Sequence, residues 1–242
     1  MTIYEYFAHL EHMPRILAVE IFYAFHFICK YQGPGKQTRH SGEPYLDHLA
    51  EVGWEILQIR PDNAPINHHH NGDFIFYLDD EAEIAALLHD GIEDTKEITR
   101  ELIIEGFSKG RGQVFGERVA NIVSACSKLP IGKFHGDKIA QTEEAFCRWK
   151  DYCRKDWMAL PVKVKDRLHN MRTLRGLNQE RRSRIALQTM EVMVPYLESE
   201  AKQIVPAEYH SWLEKDTKEI GLIAAQFLPQ RYKISISIVG SS

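Results

Sequence analysis

A short acidic segment carries the side chains of this chain that are best suited to chemistry. Residues 89–94 read HDGIED and follow an apolar run. If the segment is helical, Asp90 shares a face with Glu93 and Asp94, because residues three or four apart are neighbours on a helix. Carboxylates gathered beside a packed core repel one another, and a bound cation holds them together. His89 and Asp90 therefore predict half of a metal site, which leaves Glu93 and Asp94 for proton transfer.

Two other segments can supply the rest of such a site. His48 ends the segment 39–48, which reads RHSGEPYLDH, and Asp166 lies in the segment 162–174. Two imidazoles and two carboxylates, with open positions for water, suit Mn, Fe, Co or Zn, and the ligand types alone do not choose among these metals. The competing interpretation is a set of helix caps and solvated helix faces. The predicted ligands of one ion are His48, His89, Asp90 and Asp166.

These segments resemble the hydrolase part of the RelA/SpoT family of HD-domain enzymes. The matching stretches are RHSGEPYLDH at 39–48, AALLHDGIEDT at 85–95, SKLP at 127–130 and VKVKDRLHNMRTL at 162–174. They are more specific than an isolated His-Asp doublet, and the similarity extends over roughly residues 15 to 200. Long members of the family carry a synthetase and regulatory domains after the hydrolase, and 242 residues leave no room for them. The chain thus resembles a small alarmone hydrolase.

The resemblance implies metal-dependent hydrolysis of the 3′-pyrophosphate of a guanosine alarmone, which converts ppGpp or pppGpp to GDP or GTP plus pyrophosphate. One divalent ion, expected to be Mn²⁺, lowers the pKa of bound water in such a site, and a positioned carboxylate moves the proton. By analogy with the family, Glu93 and Asp94 are the catalytic residues. The residues expected to contact the substrate are Arg39, His40, Ser41, Asn170 and Thr173.

Two departures from the family pattern bear on the choice of base. His40 stands where the family often has lysine, and Gly176 stands where it commonly has an apolar residue. The alternative substrates for the same chemistry are therefore an adenosine alarmone or NADPH. A nucleotide-binding regulator or antitoxin on a decayed hydrolase scaffold is the non-catalytic alternative. It is disfavoured because every expected ligand and both catalytic carboxylates are present.

Composition and charge define the class of protein. Hydrophobic residues make up 44% of the chain, enough for a sizeable core, and the formal net charge of −4 argues against bulk nucleic-acid binding. No signal-peptide pattern is found, and the apolar stretch 16–29 is shorter than the ~20 residues of a membrane-spanning helix. The four cysteines lack C-x-x-C spacing, which indicates reduced thiols. We expect a cytoplasmic protein with a small-molecule nucleotide substrate and no nucleic-acid or membrane partner; the oligomeric state is left open.

The hydrophobic pattern reads as almost wholly helical and predicts an all-α fold, which the resemblance specifies as an HD-domain helical bundle. Residues 60–80 are predicted as a loop. In residues 231–239 apolar and polar side chains alternate with period two, which predicts a strand. The segment is interpreted as an edge strand, an oligomer contact or a disordered tail, and these alternatives stay open. The predicted division is a hydrolase domain at 1–205 and a helical appendage with a tail at 206–242. Helices are predicted at 14–31, 44–59, 80–91, 96–105, 114–128, 138–158 and 179–203, with one around Asp166 and one or two short ones within 206–228.

The predicted helix around Asp166 has an unusual polar face. At ~100° per residue, three apolar side chains fall on one stripe, and Asp166, Asn170 and Thr173 fall on the opposite one. Short polar groups flanked by basic ones suit a ligand cavity better than a solvated surface. For Asn170 and Thr173 the competing interpretation is a solvated face or hydrogen bonding within the helix.

Two further motifs resemble functional sites, but we interpret both as structural features. Residues 68–70 are three consecutive histidines, which point in different directions, so a solvated loop is favoured over a second metal site. The glycine-rich segment 106–116 follows a helix and not a strand, so it is interpreted as a flexible connection rather than a phosphate-binding loop.

Overall fold

The computed structural model of the chain describes residues 1–10, 13–32, 38–39, 42–64, 69–70, 73–74 and 77–229. These residues form the all-α fold that the hydrophobic pattern predicts. The helices are α1 (Ile3–His9), α2 (Arg15–Gln32), α3 (Tyr45–Leu57), α4 (Asp80–Leu88), α5 (Gly91–Asp94), α6 (Arg100–Arg111), α7 (Gln113–Cys126), α8 (Lys138–Cys153), α9 (Ala159–Arg172), α10 (Gln179–Gln188), α11 (Val194–Glu198), α12 (Glu200–Ile204) and α13 (His210–Phe227). Among the described residues, one antiparallel pair, β1 (His69–His70) with β2 (Asp73–Phe74), is the only sheet.

Helix α4 lies at the centre of the bundle, where it packs against α2, α3, α7 and α9. All its side chains from 82 to 88 are buried. The segment is apolar around its whole circumference apart from Glu83, and a helix of that kind belongs in a core. Helix α3 lies beside it and buries Leu49 and Val52, which recur at helical spacing. Because α4 ends at Leu88, it carries the following His-Asp doublet into the middle of the molecule.

Helix α9 is the second helix that matters for the site, and it packs against α3, α4, α7 and α13. Val164, Leu168 and Met171 are buried, as the predicted apolar stripe requires. Asp166 and His169 are also buried, although they are ionisable. A buried ionisable group requires a partner, so these two residues mark the polar centre of the fold.

The C-terminal part of the described chain is one helix of 18 residues, α13, where one or two short helices were expected. It is preceded by a 3₁₀ turn, Ala207–Tyr209. Leu213, Ile220 and Ala224 of α13 are buried in the same hydrophobic core as α4 and α9. The division into a domain at 1–205 and an appendage at 206–242 stays a prediction.

The predicted flexible connection at the glycine-rich segment is wrong. Helix α6 begins after Thr99, whose hydroxyl accepts a hydrogen bond from the Leu102 N–H as an N-cap. It runs to Arg111, and its glycines are tolerated inside the helix because tertiary packing overrides their low propensity. The break comes at Gly112, where φ is +91°, a value that suits glycine. Helices α6 and α7 consequently form a tight antiparallel pair, with Gly116 of α7 against the α6 backbone.

The larger remaining differences from the sequence prediction concern α8, the helix expected at 179–203, and α1. Helix α8 ends at Cys153, five residues early. The single helix expected at 179–203 is interrupted by a π turn, Thr189–Met193, just before Pro195, whose ring removes a backbone donor. Helix α1 was not predicted, although a capping box of Thr2 and Glu5 marks its start.

Two predicted features fall partly or wholly outside the described residues. The alternating segment 231–239 lies beyond residue 229, and nothing is described of the side chains at 68–70. Within the described part of the chain, none of the helices combines the length and the hydrophobicity needed to cross a lipid bilayer.

Candidate metal centre

Three packed helices bring the predicted ligands together. His48 lies on the inner face of α3, and Asp166 lies on the buried face of α9. His89 caps the C-terminus of α4, and Asp90 follows it before the short helix α5. The His89 ring is oriented by its own helix, because its Nδ1 lies 2.7 Å from the Ala86 carbonyl oxygen. With Nδ1–H donating to that carbonyl, Nε2 of His89 faces His48 and Asp166.

The spacing of three ligand atoms fits one metal ion. His48 Nε2 lies 3.3 Å from His89 Nε2. Asp166 Oδ1 lies 3.7 Å from the first of these nitrogens and 3.5 Å from the second. Nitrogen and oxygen ligands at about 2.0–2.2 Å from a tetrahedral ion are themselves about 3.3–3.6 Å apart. The spacing of His48, His89 and Asp166 is therefore within about 0.1 Å of the spacing expected for ligands of a single ion.

Asp90 borders this group of three. Its Oδ2 atom lies 3.3 Å from His89 Nε2 and 3.6 Å from His48 Nε2. Its side chain is 25% exposed, whereas the side chain of Asp166 is 8% exposed. Asp90 thus lies on the solvent side of the two imidazoles, and Asp166 lies on the core side.

The charges of the site call for a cation. Burial raises the pKa of Asp166, but the nearby Lys163 and His89 outweigh burial and hold the pKa well below its usual range. Burial likewise opposes ionisation of Asp90, and His89 and His48 hold its pKa well below its usual range. For His89, burial lowers the pKa, but the carboxylates of Asp90 and Asp166 outweigh burial and raise it to about 10. Without a metal, the two ionised carboxylates thus keep a proton on His89. A divalent ion fits this donor set of two carboxylates and two imidazoles and would displace that proton on binding.

The two predicted catalytic carboxylates lie beside the site in different surroundings. Glu93 is held by Lys128, whose Nζ lies 2.6 Å from Oε1 and whose backbone N–H donates to Oε2 at 3.2 Å. Partial burial, with repulsion by Asp90 and Glu93, raises the pKa of Asp94 to about 6. A carboxyl group with a pKa near neutrality suits general acid–base chemistry.

The predicted substrate contacts are partly described. Arg39 donates a hydrogen bond to the Asn170 side-chain oxygen, and Asn170 Nδ2 donates to Asp166 Oδ1 at 2.6 Å. Asn170 therefore links Arg39 to a candidate ligand. The Thr173 hydroxyl donates to the His169 carbonyl oxygen at 3.0 Å, which is hydrogen bonding within the helix. His40 and Ser41 lie outside the described residues.

Two polar residues of the site, buried His169 and half-buried Glu43, were not among the residues predicted from the sequence. His169 Nδ1 lies 2.9 Å from His48 Nδ1, and His169 Nε2 lies 3.2 Å from Glu43 Oε1. Burial and the neighbouring His48 lower the pKa of His169 to about 4. Both residues stand inside the motifs that carry the family resemblance. The available signal was the spacing of three residues between Asp166 and His169, which places them on one helix face.

The helical bundle and its central His-Asp site are those of an HD domain. The chain matches the HD domain family over residues 24–196 and belongs to it. HD domains bind a divalent metal, and in this chain the structure brings ligand atoms of His48, His89 and Asp166 together in one cluster.

Within that family, the chain is similar to proteins named for alarmone metabolism, as the sequence motifs predict. It is 32% identical over 203 residues to the bifunctional (p)ppGpp synthase/hydrolase SpoT of Escherichia coli, an alignment that covers 84% of this chain and 24% of the relative. It is 38% identical over 159 residues to a guanosine-3′,5′-bis(diphosphate) 3′-pyrophosphohydrolase of Haemophilus influenzae, with 66% and 20% covered. A GTP pyrophosphokinase of Myxococcus xanthus is 32% identical over 163 residues, with 66% and 18% covered. The alignments thus span about a quarter or less of these relatives.

Proposed function

We propose that this chain hydrolyses the 3′-pyrophosphate of a guanosine alarmone, and so converts ppGpp or pppGpp to GDP or GTP plus pyrophosphate. The observation that carries the proposal is the metal-spaced cluster of His48, His89 and Asp166, with the carboxylates of Glu93 and Asp94 beside it. The names of the similar E. coli and H. influenzae proteins support the same substrate class.

The ligands proposed for one ion are His48, His89, Asp90 and Asp166. When bound, the ion lowers the pKa of water and screens the phosphate charge. We propose Mn²⁺, the ion expected from the resemblance to the RelA/SpoT family, because two imidazoles with two carboxylates accept Mn²⁺, although they do not select it over Fe, Co or Zn. Asp90 is the more exposed of the two carboxylates, 25% against 8% for Asp166, and is proposed as the ligand on the substrate side.

Glu93 and Asp94 are proposed to handle the protons. Water attacks phosphorus, the bond between phosphorus and the ribose 3′-oxygen breaks, and that oxygen takes up a proton. With a pKa of about 6, Asp94 is mostly ionised at neutral pH and can accept the proton of the attacking water. Glu93 is kept in a fixed position by its two hydrogen bonds to Lys128.

The nucleotide is proposed to bind along Arg39, Asn170 and Thr173, with His40 and Ser41 continuing the same segment. Arg39 can stack on a purine or bind phosphate oxygens in a bidentate manner. Asn170 supports this arrangement because it already joins Arg39 to Asp166. A cytoplasmic location and the lack of nucleic-acid and membrane partners stay predictions from the sequence.

A second candidate keeps the chemistry and changes the substrate to an adenosine alarmone or NADPH. The observation that favours it is the 3₁₀ turn Leu174–Gly176 at the end of α9, where Gly176 offers no side chain to pack on a base. A non-catalytic regulator or antitoxin is less well supported, because the ligand cluster and both carboxylates are intact. The M. xanthus relative is named for GTP pyrophosphokinase activity, and the cluster of His48, His89 and Asp166 is not an argument for that activity in this chain.

The test is a comparison of substrates on metal-loaded protein. The metal-free chain is supplied with Mn²⁺, Mg²⁺ or Zn²⁺ and incubated with ppGpp, pppGpp, ppApp, NADPH and dNTPs, and the products are separated by chromatography. We expect Mn²⁺-dependent release of pyrophosphate from ppGpp and pppGpp, and no release by Asp166→Asn. Preferential cleavage of ppApp or NADPH would establish the second candidate. Tight nucleotide binding without cleavage under any metal would contradict both.

A further inference from the structure

Both ring nitrogens of His48 have a partner. Nε2 faces the candidate metal cluster, 3.3 Å from His89 Nε2. On the opposite side of the ring, Nδ1 lies 2.9 Å from Nδ1 of His169. The second nitrogen of His169 then lies 3.2 Å from Oε1 of Glu43. The rings of His48 and His169 are both buried, whereas Glu43 is half-buried.

The positions of the protons follow from these contacts. An ionised carboxylate only accepts hydrogen bonds, so His169 Nε2 must carry a proton to face Glu43. A neutral imidazole carries one proton, so His169 Nδ1 must accept. His48 Nδ1 must then donate, which leaves Nε2 of His48 with a lone pair. The opposite arrangement would place the His48 proton on Nε2, where it would block the ligand position.

We propose that Glu43 and His169 form a hydrogen-bond relay that fixes the tautomer and the ring orientation of His48, so that Nε2 is always presented to the metal. Both are positioning residues that act through His48. The inference rests on the proposed metal site and extends it to residues that do not touch the ion. A relay of this type makes the ligand more basic and is typically worth about 10–100-fold in metal affinity.

The placement of the two residues in the fold supports this role. His169 lies three residues after Asp166 on α9, and Glu43 lies two residues before α3, the helix of His48. The relay therefore joins the two helices that supply these ligands. His89 is oriented by the Ala86 main-chain carbonyl, which no substitution removes. The orientation of His48 depends on side chains alone, and it can therefore be tested by substitution.

The first test reads the protons directly. Protein with ¹⁵N-labelled histidine is loaded with Zn²⁺, which is diamagnetic, and long-range ¹H–¹⁵N spectra report which nitrogen of each ring is protonated. We expect the proton of His48 on Nδ1 and that of His169 on Nε2. A proton on Nδ1 of His169, or on Nε2 of His48, would overturn the proposal.

The second test measures Mn²⁺ affinity by electron paramagnetic resonance of the free ion, without nucleotide. We expect about 10–100-fold weaker binding by Glu43→Ala and His169→Ala. Glu43→Gln should lie between Glu43→Ala and the wild type, because its amide oxygen still accepts from Nε2–H. Glu51→Ala is the matched control on α3, since Glu51 pairs with the N-terminal amine, and it should bind Mn²⁺ normally.

Turnover at saturating Mn²⁺ separates positioning from catalysis. Glu43→Ala should recover most of its activity when Mn²⁺ is raised, because the relay affects loading of the site. Wild-type Mn²⁺ affinity in both alanine variants would contradict the relay, as would Glu43→Gln binding as weakly as Glu43→Ala. Wild-type protein that binds Mn²⁺ and cleaves no alarmone would contradict the proposed function and leave the relay standing.

Discussion

Asp90 and Glu93 stand three residues apart in the chain and face different partners. Asp90 Oδ2 lies 3.3 Å from His89 Nε2, whereas Glu93 Oε1 lies 2.6 Å from Lys128 Nζ. The first carboxylate belongs to the cluster of imidazoles, and the second belongs to the rim beside it. Substitutions at these two positions should therefore separate metal binding from turnover.

Asp90→Ala should abolish metal binding and activity together. The substitution removes a carboxylate that lies 3.3 Å from His89 Nε2 and 3.6 Å from His48 Nε2, so the site loses a negative charge and a ligand. We expect Mn²⁺ affinity to fall by more than about 100-fold, because loss of an outer-shell partner alone typically costs about 10–100-fold. Metal content after dialysis and turnover are the measurements. Retention of both would reduce the ligand set to His48, His89 and Asp166.

Glu93→Gln should keep metal and substrate binding and lose most turnover. The glutamine side chain can still accept from the Lys128 N–H but cannot exchange a proton, and general acid–base catalysis is typically worth ~10²–10⁴-fold. Mn²⁺ affinity, nucleotide affinity and turnover are measured in parallel. Glu97→Gln, an exposed glutamate four residues further along, is the control. Metal loss from Glu93→Gln would show that Glu93 is itself a ligand.

Among the elements, the helices that carry the site were the easiest to predict. The helices that carry His48, His89 and Asp166 show either apolar residues at helical spacing or an unbroken apolar run. Both patterns are visible in the sequence because these helices are buried in the core. The relay of His169 and Glu43 could not be predicted, because it depends on how α3 and α9 are rotated against each other. The glycines of α6 misled the prediction for a related reason: packing against α7 stabilises a helix that intrinsic propensity disfavours.

A buried carboxyl group also ties three of these elements together. Tyr6 of α1 donates a hydrogen bond to Glu83 of α4, and the Glu83 side chain lies against Gly53 of α3. Burial raises the pKa of Glu83 well above its ordinary value of 4.5, and the hydrogen bond from Tyr6 opposes this only in part. Glu83 is therefore protonated in the folded protein at pH values where the unfolded chain has lost that proton.

Glu83→Gln should make the protein less sensitive to rising pH. Below pH 4.5 both states of the wild type hold the proton. Above it, the unfolded chain alone releases the proton, so wild-type stability falls by up to about 1.4 kcal/mol per pH unit until the folded pKa is reached. Urea unfolding of both proteins at pH values from about 5 to 8, where folded proteins tend to be most stable, gives the difference between their free energies of unfolding. A difference that stays constant with pH would show that Glu83 ionises normally in the fold.

Across the whole molecule, a buried ionic network connects the C-terminal helix to the metal-site helix. Nζ of Lys165 in α9 lies 2.7 Å from Oδ2 of Asp216 in α13 and 2.9 Å from Oε2 of Glu55 in α3. Trp212 Nε1 donates to the same Asp216 carboxylate at 2.7 Å. Since Lys165 immediately precedes Asp166 in the chain, the position of a candidate ligand depends on the docking of α13. Within the described residues, α13 is thus joined through this network to the helix that carries Asp166.

Asp216→Ala should test this dependence of the core on α13. It leaves Lys165 buried with Glu55 alone and removes the acceptor of Trp212, and breaking a buried pair by removing one partner typically costs about 3–5 kcal/mol. Glu219→Ala is the matched control, because Glu219 joins the same two helices through Arg172 at 2.8 Å, with both side chains 35% exposed. An exposed pair of this kind contributes about 0–1 kcal/mol. Urea unfolding gives both free energies, and hydrogen exchange compares α13 with α9.

We expect Asp216→Ala to weaken protection from exchange in α9 as well as in α13, because the two helices share one core and one buried network. The Mn²⁺ affinity of Asp216→Ala should fall together with the protection of α9, whereas Glu219→Ala should keep both the protection and the affinity. If α13 exchanges freely while α9 and Mn²⁺ binding are unaffected, residues 206–242 behave as a separate appendage. That outcome would uphold the division predicted from the sequence and restrict the hydrolase unit to residues 1–205.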